Sequence, residues 1–228
     1  MYNDNYKWQK QKDMDREHII NMNLANKFYD KYLNTKGVIT DKKMQISGID
    51  LKTDKDVNID VKNALSYGNG DLKTFVLEIL FRDSGGSLYK GWYLDAANHA
   101  TDYYSFNYFT HVDSGLKNKE DTKFITDWED VGNVEMVIVS KKKLLEYTKD
   151  IWTKELRLLM KKTYMEKTSW VKLTEDLSLS YSDKLKEKPL NILINKKVLI
   201  NLSDIHVFYE PDIFEDNIEW YKNNDLIK

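Results

Sequence analysis

The chain has 228 residues, 41% hydrophobic, 13% aromatic and 32% charged, which is enough apolar surface for one well-packed domain and too little length for two independent enzymes. It contains no cysteine, so disulfides and thiolate metal sites are excluded and any metal must rest on carboxylates, carbonyls or histidines. Its net charge of −2, from 35 Lys and Arg against 37 Asp and Glu, carries no global positive field, although lysines gathered along one groove would escape such a sum.

The first segment, Met1 to Lys12, is polar and charged, and no run of about 18 apolar residues follows, so a cytoplasmic chain with no membrane partner is expected. From about Lys12 to Tyr32 the residues Ile20, Leu24, Ala25, Phe28, Tyr29 and Tyr32 recur at three- and four-residue spacing and predict an amphipathic helix. Gly37, with its access to the left-handed region, is expected to end it. Met44 to Leu51 and Val57 to Leu65 read as two short strands joined by the polar turn Lys52-Thr53-Asp54-Lys55-Asp56, a hairpin. The turn Gly68-Asn69-Gly70 leads to Thr74 to Phe81, apolar on both faces except for Glu78, as expected of a central strand covered on both sides.

Tyr89 to Leu94 and the aromatic run Asp102 to Val112 are predicted extended, the latter as core rather than as a base-stacking platform. Val134 to Val139 followed by Lys141 to Lys149 is a βα pattern, with a second helix from Ile151 to Met165. Residues 1–168 read as the core. Residues 169–228, with strands near Leu190 to Leu202 and Ile205 to Tyr209 and an acidic tail bearing Trp220 and Tyr221, read as a C-terminal extension or small subdomain.

Chemistry concentrates in Gly48-Ile49-Asp50 and Ile59-Asp60-Val61-Lys62. Alternation sends Val57, Ile59 and Val61 to one face of their strand and Asp60 and Lys62 to the other, roughly 6.6 Å apart at about 3.3 Å per residue. The turn returns Asp50 beside Asp60, and two such carboxylates repel unless a cation lies between them. Oxygen donors of this kind suit Mg²⁺ or Mn²⁺, which polarises a phosphate and acidifies a bound water, while Lys62 orients that water or neutralises developing charge. Glu17, close to the core-facing stripe of the first helix, and Glu78, alone in an apolar strand and a candidate partner for Arg82, are further candidates. Four histidines (His18, His99, His111, His206) show no zinc-ligand spacing. Nor is there a phosphate-binding Gly-rich loop or a Gly-x-Ser-x-Gly elbow.

Asp50, a nine-residue gap and Asp60-Val61-Lys62, behind an N-terminal amphipathic helix, resemble the PD-(D/E)XK nuclease superfamily over roughly Lys12 to Phe81. The resemblance departs from the motif at Ile49, where the family motif has proline. It implies an α/β fold with a restriction-endonuclease-like mixed β-sheet core flanked by helices. It also implies Asp50 and Asp60 as metal ligands, Lys62 as the active-site lysine, a helical acid at Glu17, and Mg²⁺-dependent hydrolysis of phosphodiester bonds in DNA. A homodimer fits that chemistry, since cutting both strands uses two sites. The abundance of Lys, Asn, Ile and Tyr suits an AT-rich genome such as that of a low-GC bacterium, its phages or plasmids. The alternative is a catalytically silent protein of the same fold, a phage or plasmid inhibitor or an accessory subunit.

Overall fold

The computed structural model describes residues 15–39, 41–65, 72–82, 86–95, 99–112, 125–182, 188–211 and 217–222. Met1 to Lys12 and the Gly68-Asn69-Gly70 turn lie outside the described residues. The apolar stripe of the first helix predicts its structure well: α1 runs over residues 15–33 and buries Ile20, Leu24, Phe28, Tyr29 and Leu33. Its turn Ala25–Tyr29 is π-wound, and Asn34, at φ 53°, takes the left-handed position that ends it. The terminator is therefore Asn34 rather than Gly37. Gly37 lies instead within β1 (Thr35–Val38), at φ +77°.

The segment expected as the hairpin's first strand instead begins in a helix, continues as a turn and becomes strand only at Leu51. Asp41 accepts hydrogen bonds from the backbone N–H groups of Lys43 and Met44, both 2.9 Å, and this cap nucleates the short helix α2 (Lys42–Ile46). Ile46, which a strand would have paired and packed, is 70% exposed. The hairpin then consists of β2 (Leu51–Thr53) and β3 (Asn58–Asn63), antiparallel with Leu51 opposite Ile59.

Two sheets follow. The seven-stranded sheet has the order β1-β2-β3-β6-β7-β11-β12, with β6 (Tyr103–His111), β7 (Val131–Ser140), β11 (Ile205–Glu210) and β12 (Asn217–Lys222). β3 and β6 pair in parallel, which requires a crossover, and the chain between them builds part of the second sheet. That five-stranded sheet has the order β5-β4-β10-β9-β8: β4 is Thr74–Arg82, β5 Leu88–Lys90, β8 Trp170–Lys172, β9 Leu177–Tyr181 and β10 Leu190–Asn195. The strands after residue 169 thus supply three members of one sheet and two of the other. Helices α3 (Lys141–Thr148), α4 (Lys154–Glu166) and α5 (Lys196–Leu202) complete the mixed α/β architecture. Among the described residues, no helix is long and apolar enough to cross a membrane.

Alternation along β6 and β7 divides the interior into two cores. Tyr104, Phe106, Val137 and Val139 pack with Phe75, Leu77, Leu179 and Ile192 of the second sheet. Phe109, Val134, Met136 and Ile138 pack with Leu24 and Phe28 of α1. The aromatic run of β6 is core, as expected. Between α1 and the sheet, the Tyr29 hydroxyl meets Ser105 Oγ at 2.7 Å and donates to Asn107 Oδ1 at 3.2 Å. Asn107 Nδ2 donates to Asn63 Oδ1 at 2.8 Å, and Asn63 Nδ2 to Asn21 Oδ1 at 2.6 Å. Groups this buried are costly unless paired, so the chain holds α1 in one register over the sheet and determines where its first turns lie.

Elsewhere on the sheet, buried Glu135 accepts from Lys196 Nζ at 2.7 Å and pairs with His206 Nε2 at 2.9 Å, while Lys196 lies 4.7 Å from the centre of the Tyr108 ring. Burial pushes the Glu135 carboxyl upward, but the hydrogen bonds from His206 and Lys196 outweigh it and hold the carboxyl below its ordinary value. A carboxyl lowered by folding contributes stability above its unfolded value of 4.5, and that contribution is lost as pH falls through the lower folded value. Glu135→Gln should therefore cost about 1–3 kcal/mol at pH 7, where it removes the anion paired with Lys196, and less at pH 3. Urea unfolding at both pH values measures the difference. A cost independent of pH would show that the charge of Glu135 is not what stabilises the cluster.

Candidate metal centre

The antiparallel ladder of β2 and β3 stops at Leu51 because the chain turns away at Ile49, whose N–H bonds to Met44 O at 3.1 Å. The Val61 N–H, left without the acceptor that a longer β2 would supply, donates to Asp50 Oδ2 at 2.8 Å. Asp50 is tied at both ends of its own backbone as well: its N–H donates to Ile59 O at 3.0 Å, and its carbonyl accepts from Ile39 N at 2.7 Å. Asp50 is thus tied to main chain through three bonds, one of them to its carboxylate.

On β3 the expected alternation holds. Ile59 and Val61 enter the core beneath α1, and Asp60 and Lys62 face the opposite way. Asp60 is 2% exposed, its Oδ1 sits 2.7 Å from Lys62 Nζ, and its buried Oδ2 has no hydrogen-bond partner among the described residues. Lys62 Nζ lies 4.8 Å from the centre of the Trp92 ring.

Asp50, Asp60 and Lys62 open together onto a cavity of about 570 Å³, whose walls also include Glu17, His18, Asn21, Trp92 and His99. Glu17 is exposed at the cavity mouth, on the turn of α1 that the Asn21–Asn63 bond positions. Three of the sequence candidates are therefore adjacent and the helical acid Glu17 shares their cavity. Glu78 does not line it. It lies on β4 of the five-stranded sheet, where Phe75, Leu77 and Ile79 are buried and Glu78 shares the other face with Val76, 41% exposed. The expectation of a strand covered on both faces is corrected here, since nothing in the apolar run reveals that one face looks outward. Arg82, considered as a partner for Glu78, donates to Tyr164 Oη and, at 2.6 Å, to Gly86 O.

The electrostatics reflect two acids beside one base. Burial pushes the Asp50 carboxyl up to about 7, the Asp60 charge adds to the rise, and Lys62 and the Val61 N–H oppose it. Burial alone would lower Lys62, but the charges of Asp60, Asp50 and Glu17 outweigh it and raise the ammonium above its ordinary value. Lys62 is therefore a cation at neutral pH and suited to stabilising negative charge, not to removing a proton.

Among the described residues, no group of three or more His, Cys, Asp or Glu could hold an ion by protein ligands alone. Mg²⁺ usually keeps several waters and uses one or two carboxylates together with substrate phosphate. Asp50 and Asp60 fit that requirement: both are hard oxygen donors, and one buried oxygen of Asp60 has no partner to give up among the described residues.

Trp92, His18 and His99 were not singled out as site residues from sequence. Asn21, one helical turn after Glu17, carries such a signal, and His18 stands three residues before Asn21, whereas Trp92 and His99 reach the cavity from distant segments with no local pattern. Comparison with protein-family models, with curated proteins and with solved structures finds no match.

Proposed function

We propose that this chain is a divalent-metal-dependent nuclease of the PD-(D/E)XK kind, with a restriction-endonuclease-like core, that hydrolyses phosphodiester bonds in DNA. The observation carrying the reading is the convergence of Asp50, Asp60 and Lys62 in one cavity, where a buried Asp60 oxygen has no hydrogen-bond partner among the described residues and two acids are held together. Paired buried carboxylates of this kind destabilise a fold and persist where a site needs them. Further support comes from the order of elements: an N-terminal helix, an antiparallel hairpin bearing the acids, and a strand parallel to β3.

Asp50 and Asp60 would hold Mg²⁺ or Mn²⁺, which when bound supplies Lewis acidity toward phosphate and an acidified water. The chain's own groups do the rest. The main-chain bonds around Asp50 keep its carboxylate oriented without substrate. The Lys62 ammonium, steadied by Asp60 and the Trp92 ring, faces the charge that grows on the phosphoryl oxygens as the bond to the attacking water forms. Glu17 at the mouth adds negative charge that favours a cation and holds nucleic acid phosphates off unless one is bound.

The test is cleavage of linear, supercoiled, branched and single-stranded DNA with and without Mg²⁺ or Mn²⁺, by wild type and by Asp60→Ala and Lys62→Ala. Metal-dependent cutting lost in both variants is expected. Equal cutting by all three proteins would assign it to contamination, and no cutting by any would favour a silent binding protein.

A further inference from the structure

The cavity offers two acids and a cation, yet phosphodiester cleavage also needs a proton. The bridging oxygen departs with its bonding pair and is a poor leaving group unless protonated as the bond breaks. Asp50 and Asp60 are assigned to the metal, and Lys62 is an ion-paired ammonium.

His99, on the cavity wall, is held with unusual firmness for a residue outside regular structure. Lys141 Nζ donates to its carbonyl at 2.7 Å, the next residue's N–H donates to Ser47 O at 2.9 Å, and Thr101 Oγ1 donates to Gly48 O at 2.7 Å. The last two bonds join the histidine's segment to the turn that carries Asp50, and the first ties it to the start of α3. The join depends on Gly48: at φ +74°, a Cβ there would stand 2.4 Å from Thr101 Oγ1 and 3.1 Å from His99 Nδ1. His99 Nδ1 is itself buried and has no hydrogen-bond partner among the described residues. His18, by contrast, is an exposed side chain on α1.

We propose, resting on the nuclease reading above, that His99 is the general acid that protonates the leaving oxygen. The oxygen of water forms the new bond to phosphorus as the bond to the departing sugar oxygen breaks. The bonding pair stays on that oxygen and takes the proton of the His99 imidazolium, giving an alcohol and a neutral imidazole. The proton lost from the attacking water passes to solvent, from which His99 is recharged.

Sulfur in place of the departing bridging oxygen tests this, because a thiolate leaves without a proton. DNA oligonucleotides carrying 3′- or 5′-bridging sulfur throughout the region that wild type cuts, and their all-oxygen counterparts, are assayed in Mn²⁺. The proteins compared are wild type, His99→Ala, His99→Gln and His18→Ala, each checked for wild-type melting. Both His99 variants should cut the oxygen linkage about 10²-fold or more slowly, and one of the sulfur linkages within about threefold of wild type. Equal slowing on oxygen and sulfur in a variant that melts like wild type, or no slowing, overturns the assignment. Sulfur rescue confined to His18→Ala also overturns it and moves the role to α1. A wild type that cuts neither linkage removes the nuclease reading itself, and this proposal with it.

Discussion

Asp50→Asn should make the metal-free protein more stable at pH 8, by about 1–3 kcal/mol, while abolishing metal-dependent activity. An acid whose folded pKa is raised to about 7 from an ordinary 3.8 binds its proton more tightly in the native state than in the unfolded one. Native stability therefore falls as pH rises from the unfolded value through about 7, and above it the protein bears the full cost of a second buried anion beside Asp60. Asparagine removes that cost. Its side-chain oxygen can still accept from Val61 N–H, and its amide can offer a donor to the neighbouring Asp60 carboxylate. Urea unfolding at pH 8 and pH 5 measures the effect, and the gain should shrink at the lower pH. Adding Mn²⁺ should raise the melting temperature of wild type and leave the variant unchanged. A variant less stable than wild type at pH 8 would show that Asp50 is a structural partner of Val61 and not a strained ligand.

Lys62→Met should slow cleavage by about 10²–10³-fold while leaving Mn²⁺ affinity at least as high as in wild type. On the proposed reading the ammonium stabilises the negative charge that develops on the phosphoryl oxygens, but in the resting protein it would compete with a metal for the Asp60 carboxylate, 2.7 Å away. Methionine keeps an apolar stem against Trp92 and removes only the cation, so packing beside the ring is largely preserved. Asp60→Asn, in the same assays, should lose both affinity and rate. Calorimetric titration of Mn²⁺ beside cleavage kinetics separates the two roles. If Lys62→Met weakened metal binding as much as Asp60→Asn does, Lys62 would be organising the ligands and not acting on the reaction.

The two kinds of residue in the site differ in how far local pattern reaches. The stripe Ile20, Leu24, Phe28 and Tyr29 was legible because a helix repeats every 3.6 residues, and the separation of Asp60 and Lys62 from Ile59 and Val61 because a strand repeats every two. The closeness of Asp50 to Asp60 followed from a short polar turn between them. Met44 to Leu51 reads as a strand because its apolar spacing fits one, while one cap by Asp41 outweighs that preference for the first residues.

Sequence by itself thus determined the amphipathic helix, the shared face of Asp60 and Lys62 on β3 and the absence of thiol chemistry, all set by periodicity or composition. Tertiary structure decided that β4 lies in a second sheet with Glu78 on its outward face, and that Trp92 and His99 join the cavity. Those outcomes depend on which faces of distant segments bury each other. A crossover between β3 and β6, a glycine at φ +74° and a lysine reaching the His99 carbonyl bring together residues whose separation along the chain carries no mark of their meeting.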